Sequence, residues 1–452
     1  MEFDKIISEI SSFVWGYPLL FILIGGGLYL LFVSKFLPFK YFFHAIDIVR
    51  GKFNDKKSDG EISHFQALTT ALSATVGMGN IAGVAVAISI GGPGAIFWMW
   101  VSGIIGMSTK FFTSALAVMY RGVDSAGKKQ GGPMYFIVNG LGKKWFPMAM
   151  FFSFCGMVGA LPVFNVNQLT QAINDIVLKP NGFEVSLFSN AIIGLILIIL
   201  TSIVILGGLK RISRVSARLV PFMVGVYIIS ILAILIVNYN NVPEYLYLIF
   251  YDAFNADYYS GNSALGGVLG ALIILGIRRG AFSNEAGIGM APMAHGAAKT
   301  NNPIKEGFVA MLGPFIDTLM VCTMTALAIL VTGAWKTQAD GVSLTAAAFE
   351  SSFSGIGNYI LLACVFVFSI SSLFSYSYYG TKCLSFIAGD NNKKKYNYIY
   401  ILSIMIGATT SLSMMINLID TFFALMAIPT MIATLILAPK VLNELKKYEI
   451  KR

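Results

Sequence analysis

The chain has 452 residues, 56% hydrophobic and 12% charged, with a formal net charge of +10 and a mean hydropathy of +0.74. Single soluble cores stop growing near about 250–300 residues and soluble domains carry about 25% charged residues, so a soluble protein is excluded, as are disordered and collagen-like chains. The excess of Lys and Arg does not indicate nucleic acid, because it sits in short loops between apolar runs and forms no basic stripe interleaved with aromatics.

A membrane-spanning helix needs about 20 mostly apolar residues. Such runs occur near 17–36, 65–90, 95–119, 147–177, 188–207, 213–237, 265–298, 308–333, 355–386, 397–415 and 417–438. They predict an all-α polytopic membrane protein of about eleven transmembrane helices, one integral membrane domain over 1–452. The first run follows Glu2, Asp4 and Glu9 against Lys5 alone, which is too lightly cationic for a cleaved signal peptide, so it reads as a true span.

Loop charges set the direction. One side carries Lys35, Lys40, Arg50, Lys52, Lys56 and Lys57, then Arg121, Lys128, Lys129, Lys143 and Lys144. The same side continues with Lys210, Arg211 and Arg214, then Lys299 and Lys305, then Lys393, Lys394 and Lys395, and ends with Lys446, Lys447, Lys451 and Arg452. The other side has Lys5, Lys179 and Lys336 beside Glu244, Asp252 and Asp257. The N-terminus is therefore expected outside and the C-terminus in the cytoplasm, in a multi-pass protein of the cell membrane. An odd span number agrees. Loops of at most about 25–30 residues leave no room for a soluble catalytic module.

The cysteines Cys155, Cys322, Cys364 and Cys383 lie in or beside apolar runs without a C-x-x-C pair and read as small buried hydrophobes. The histidines His44, His64 and His295 are scattered without metal-ligand spacing. No H-E-x-x-H or G-x-S-x-G is present, which argues against an intramembrane enzyme. No charged ring or repeated filter argues for a channel.

Two spans are interrupted. The second contains Ser73-Ala74-Thr75-Val76-Gly77-Met78-Gly79-Asn80 and then Gly83. The seventh contains Gly276-Ile277-Arg278-Arg279-Gly280, then Ser283-Asn284-Glu285 and Gly287. Glycine weakens a helix by about 1 kcal/mol. Non-helical backbone at membrane depth is tolerated only where it lines a cavity or is buried in protein. A break frees N–H groups that favour a carboxylate, and C=O groups that favour Na⁺ or an ammonium group. Paired interruptions at corresponding places mark a transporter binding site.

Residues 91–106, Gly-Gly-Pro-Gly-Ala-Ile-Phe-Trp-Met-Trp-Val-Ser-Gly-Ile-Ile-Gly, resemble the signature of the alanine or glycine:cation symporter family, also called sodium:alanine symporters. The stretches Thr75–Gly83, Gly131-Gly132-Pro133-Met134-Tyr135 and Arg279–Gly287 resemble it too. The resemblance covers residues from about 15 to 440 and implies a leucine-transporter-type fold. An extra N-terminal helix at 15–36 would precede two inverted five-helix repeats, 62–237 and 263–438. It implies Na⁺-coupled uptake of alanine or glycine by alternating access. The competing readings are a proton in place of Na⁺, exchange, or another small neutral amino acid such as serine. Na⁺ is the expected ion and membrane lipid the expected surroundings, while oligomeric state is not readable.

The candidate residues follow from the breaks and this resemblance. Amides of Met78, Gly79 and Asn80 are expected to take the substrate carboxylate, with Gly77 in the same turn. Carbonyls near Ser73, Thr75 and Val76 suit Na⁺ and the substrate ammonium. The Asn80 side chain either adds an oxygen to a cation site or caps the helix. Asn165 and Gln168 share a helix face and offer amides to the carboxylate. Ser371 and Ser372 match, by resemblance to the wider fold, a serine pair facing the inner half of the first broken helix. Thr318 beside Asp317 is a further cation-site candidate, and Asp317 either completes that site or carries a proton. Gly276 and Ile277 of the second break and Phe164 complete the expected substrate pocket, with Phe282 a further wall candidate. The intramembrane charges Lys110, Arg278, Arg279, Glu285, Asp317 and Asp420 are three basic and three acidic, so that full internal pairing is open to them.

Overall fold

Backbone polar groups inside a membrane must be satisfied within their own segment, which turns long apolar runs into helices. The computed structural model follows that rule, and it describes residues 9–10, 13–53, 58–125, 127–255, 265–337, 339, 341–410 and 413–451. Glu2, Asp4, Lys5, Lys56, Lys57, Asp257 and Arg452, which entered the charge and signal readings, lie outside the described residues.

The first helix, α1, is built from Tyr17–Leu20, a π turn Phe21–Gly25 and Gly26–Val33. It bends by 80° into the surface helix α2, Leu37–Val49. The helices α3 (His64–Thr75) and α4 (Gly79–Gly91) are two halves bent by 57° at their break. A capping box starts α3: Ser63 accepts from the Gln66 amide, and the Gln66 side chain accepts from the Ser63 amide. Next come α5 (Ala95–Met119), the hairpin β1 (Gly122–Val123) with β2 (Lys129–Gln130), α6 (Pro133–Leu141) and α7 (Lys143–Leu178). Then follow α8 (Leu187–Ile205), α9 (Gly208–Val237) and α10 (Val242–Asn255). The second half holds α11 (Leu265–Asn284), the short α12 (Ala291–His295) and α13 (Pro303–Val331). Last are α14 (Gly341–Ser352), α15 (Gly357–Ala388), α16 (Lys393–Thr409), α17 (Ser413–Leu425) and α18 (Ala427–Lys451).

Among the described residues seven helices are long and apolar enough to cross a membrane, or up to nine if each bent pair counts as one span. Two expected spans fall outside that criterion. At 265–298 the chain is divided between α11 and α12, and at 397–415 the helix α16 has 17 residues and starts on Lys393, Lys394 and Lys395.

The central pillar is α5, buried along most of its length and packed against α11 and α13. Small residues allow the close approach. A Cβ on Gly276 would overlap the Ala95 carbonyl, and one on Gly280 would lie 2.8 Å from the Ser102 Cβ. On the other flank a Cβ on Gly307 would lie 2.8 Å from the Phe111 ring. The family-like block at 91–106 is structural here. The Gly94 amide donates to Asp252 at 2.7 Å, Trp98 Nε1 to the Ala253 carbonyl at 3.1 Å and Trp100 Nε1 to Thr323 at 2.7 Å. These bonds fasten α10 and α13 to α5.

The basic loops meet on one face. Asp59 pairs with Lys129 at 2.5 Å, Arg121 donates to the Thr300 carbonyl at 2.7 Å, and the Asp390 amide donates to Ser125 at 2.8 Å. The Lys129 ammonium beside Asp59 holds that carboxyl below the ordinary carboxylate range. We call this the basic face.

Helices α15 and α16 touch at Gly380, where any Cβ would run into the Tyr396 phenol, itself fastened to the Met157 carbonyl at 2.8 Å. Gly380→Ala should therefore force the two helices apart and cost about 1–3 kcal/mol, the usual range for overpacking. A thermal melt of the purified variant several degrees below the wild type is expected; an unchanged melt would show that Tyr396 moves aside freely.

Candidate functional site

The first break is a short unwound stretch. Val76 is extended (φ −75°, ψ 92°), and α4 starts with a π turn at Gly79–Gly83. Unwinding leaves the last carbonyls of α3 and the first amides of α4 without helical partners. Asn80 answers part of that need: its Oδ1 accepts from the Gly77 amide at 2.8 Å. Its Nδ2 donates to Asp317 Oδ1 at 2.7 Å and lies 3.2 Å from Ser283 Oγ. Ser283 and Thr318 both donate to Asp317 Oδ2 at 2.8 Å. The Thr325 hydroxyl donates to the Asn80 carbonyl at 2.8 Å. All of these side chains are buried. One carboxylate thus holds three hydrogen-bond donors and joins α4, α11 and α13 at the break.

A second oxygen cluster lies on the other side of the break. Ser371 Oγ sits 3.3 Å from the Ser73 carbonyl, and Ser372 Oγ 3.4 Å from the Ala74 carbonyl. Each hydroxyl is closer to the Phe368 carbonyl of its own helix, at 2.9 and 3.1 Å. With the protons directed there, hydroxyl lone pairs are left for a cation. The Ser73 hydroxyl bonds Ser375, and Ser216 of α9 donates to it at 3.2 Å. These are hard oxygen donors of the kind small cations take.

The expected cation residues therefore divide between two clusters. Ser73, Ser371 and Ser372 meet on one side. Asn80 and Thr318 lie on the other with Asp317 and Ser283. Thr75 and Val76 form the last turn of α3 and its cap, between them. Ser283, Ala74 and Phe368 were not singled out from the sequence. For Ser283 a signal existed: it precedes the Asn284-Glu285 pair of an interrupted span.

The second break is displaced from where glycine spacing placed it. Helix α11 runs without interruption through Gly276–Gly280 to Asn284. Gly276 and Gly280, four residues apart, are the small-xxx-small seam against α5, and neither Gly276 nor Ile277 lines a cavity described below. The chain leaves the helix at Glu285 (φ +54°), Gly287 (φ +90°) and Gly289 (φ +109°). A Cβ on Gly287 would also lie 2.6 Å from Leu23. Left-handed backbone and lack of space both demand glycine there.

Two cavities adjoin the breaks. The larger, of about 470 Å³, reaches Met78, Gly79, Phe164, Gln168, Arg278, Arg279, Phe282 and Asp420. The smaller, of about 50 Å³, is bordered by Thr75, Gly77, Met78, Gly79, Phe164, Asn165, Ser283, Glu285, Ser372 and Tyr376. Phe164 and Phe282 border both and meet edge to face, with ring centroids 6.3 Å apart. Asn165 thus belongs to the smaller cavity and Gln168 to the larger.

The intramembrane charges do not form the direct pairs that their equal numbers allow. Among the described residues none of the six makes an ion pair within 4.0 Å. Asp317 is held by neutral donors, and Glu285 Oε1 accepts from Tyr376 at 2.7 Å while its Oε2 is buried without a hydrogen bond. Arg278 lies over the Trp15 ring at 5.8 Å, in the larger cavity with Arg279 and Asp420. Lys110 is buried in α5, facing the charges of Glu285 and Asp317. Charges at this depth are tolerated when polar groups and cavity water solvate them.

Comparison with known proteins matches this architecture. The sodium:alanine symporter family model covers residues 1–452. The sodium/alanine symporter AgcS of Methanococcus maripaludis is 40% identical over 462 residues, covering 100% of this chain and 99% of that one. The probable sodium/glutamine symporter GlnT of Bacillus subtilis is 35% identical over 451 residues, covering 98% and 90%. Among solved structures, MhsT in complex with L-phenylalanine aligns with a TM-score of 0.58 at 12% identity, over 82% of this chain and 89% of that one. That likeness gives the leucine-transporter-type fold. The helical membrane architecture, the two interrupted helices and the match along the whole sequence place this chain in the sodium:alanine symporter family.

Proposed function

We propose that the protein couples inward movement of Na⁺ to uptake of alanine or glycine by alternating access, as a multi-pass protein of the cell membrane with its basic face in the cytoplasm. The reading includes eleven spans, an extra helix ahead of two inverted five-helix repeats, and lipid against the exposed apolar faces of α8 and α9. The observation that carries it is the break at Val76–Met78, flanked by two oxygen clusters and opening on a small cavity.

The division of labour follows from chemistry. The amides of Met78 and Gly79 begin an outer half-helix, whose dipole favours the substrate carboxylate, while the Asn80 amide, expected to join them, donates to the Gly77 carbonyl at 3.1 Å. The Asn165 amide adds a donor from α7. Glu285 Oε2, without a hydrogen bond at the edge of the small cavity, is the anionic group available to the substrate ammonium. Ser371, Ser372 and the Ser73, Ala74 and Phe368 carbonyls would hold one Na⁺. Asp317, Ser283, Thr318 and Asn80 offer a second, anionic oxygen set. A Na⁺ in the first cluster ties α3 to α15, so ion binding shapes the break that receives the carboxylate. The Na⁺ gradient then sets the direction of transport, and Na⁺ shifts the balance of the two access states by its difference in affinity for them.

The smaller cavity is walled by Met78, Phe164 and Phe282, bulky side chains beside the break that favour a small substrate.

Equilibrium binding to the purified protein tests this directly. Alanine should bind in Na⁺ and not in its absence, and leucine should not bind. Binding indifferent to Na⁺ would move the coupling to protons or exchange. No alanine binding by folded protein would overturn the substrate.

The ion cluster has its own test. Ser371→Ala with Ser372→Ala should raise the Na⁺ concentration for half-maximal alanine binding by about a hundredfold or more, since each lost contact to a charged group is worth about 1.5–3 kcal/mol. Preference for alanine over leucine at saturating Na⁺ should persist. Unchanged Na⁺ activation removes both serines from the ion site.

Gly77 reports on the same cluster from the other helix. A Cβ there would lie 2.9 Å from Ser372 Oγ, whereas one on Gly79 meets its neighbours at an ordinary 3.6 Å. Gly77→Ala should therefore weaken Na⁺ activation. Gly79→Val should instead fill the approach to the amides and abolish alanine binding. Retained alanine affinity in Gly79→Val would place the carboxylate elsewhere.

A further inference from the structure

His64 is distant in sequence from His295 and Glu306, yet the three meet in a buried pocket, with relative exposures of 2%, 1% and 0%. His64 is the first residue of α3, His295 the last of α12, and Glu306 lies in the first turn of α13. Each carboxylate oxygen takes one imidazole. His64 Nδ1 bonds Oε2, and His295 Nδ1 lies 2.6 Å from Oε1. Among the described residues no group of this kind is arranged to hold a metal ion. None of the three borders the two cavities or belongs to the oxygen clusters.

The three elements give the trio its meaning. Helices α3 and α12 are the limbs that lead from the two breaks toward the basic face. Helix α13 is continuous through its π turn and packs on the α5 pillar. The limbs are also laced to each other: the Glu61 amide donates to the Ala297 carbonyl at 2.8 Å, and the Lys299 amide to the Ile62 carbonyl at 2.7 Å. Arg121, at the end of α5, donates to the Gly296 carbonyl at 2.8 Å. Opening a path to the basic face along these limbs would part them from α13. Parting strips a buried carboxylate of both of its imidazoles, and a buried charge that loses its hydrogen-bond partners is strongly disfavoured.

We propose that Glu306, clasped by His64 and His295, is a positioning residue that holds both inner limbs shut and sets the balance between the two access states. This rests on the alternating-access reading above, and the clasp is the element that weights it. Ion and substrate ligands are untouched by the clasp, so its loss should shift populations and leave the binding chemistry intact.

Hydrogen exchange read by mass spectrometry on the full-length protein in lipid nanodiscs tests this. Glu306→Ala should speed amide exchange about tenfold in segments 64–75 and 291–300 and leave 187–205 of α8 unchanged. Glu306→Gln should recover most of the protection, because an amide accepts from one imidazole and donates to the other. Saturating Na⁺ should suppress the added exchange, by drawing the protein back to the state that binds ion from outside. His64→Gln and His295→Gln, each removing one contact, should give the same pattern at smaller amplitude, so the outcome does not depend on Glu306→Ala folding well. Exchange equal to wild type in these variants, or acceleration spread equally into α8, overturns the proposal. A failure of the transport reading is seen separately, as absent Na⁺-dependent alanine binding in the wild type.

Discussion

A helix that unwinds at membrane depth must find new partners for the backbone groups it exposes, and here that requirement falls on Asn80. Its side-chain oxygen takes the Gly77 amide, and its amide nitrogen reaches Asp317 at 2.7 Å. Asp317 in turn gathers Ser283 and Thr318. One side chain therefore stabilises the unwound stretch and attaches it to both α11 and α13. In a low dielectric an unmade bond among these groups is expensive, so the network is satisfied or the break does not form.

The arrangement of the rest follows. With α4 anchored to α13, the orphan carbonyls at the end of α3 face α15, where Ser371 and Ser372 stand. The break thus has an oxygen cluster on each side and a small cavity between aromatic walls. The pillar α5 supports both anchors. It accepts α11 through Gly276 and Gly280, and α13 through Gly307, at distances that only missing side chains permit.

The two breaks are built differently. The first is held by a side chain of its own second segment, α4. The second has backbone that glycine tolerates, at Gly287 and Gly289, together with a non-glycine residue, Glu285, at φ +54°. Backbone of that kind in a buried acidic residue persists only where surrounding packing over-determines it. Tyr376 supplies one such contact, and the Thr430 hydroxyl fixes the following Ile288 carbonyl at 3.0 Å.

Sequence alone determined the helical membrane class, the basic face and the existence of two interrupted helices, because hydropathy, loop charge and glycine in an apolar run act locally and leave local marks. It identified Asn80, Ser371 and Ser372 as polar groups at membrane depth, where each such group needs a reason. Tertiary structure alone decided their grouping. Thr318 joined Asp317 and not the serine pair, because the two sit on helices that approach the break from different sides. Gly276 and Gly280 became a packing seam, since glycine marks close approach and unwinding with the same letter, and only the neighbouring helix α5 separates the two uses. The six intramembrane charges, equal in sign count, did not pair directly, because pairing needs proximity and their helices hold them apart. His64 and His295, scattered in the chain, meet on Glu306 for the same reason: contacts between distant segments are set by how helices pack, and no local pattern encodes them.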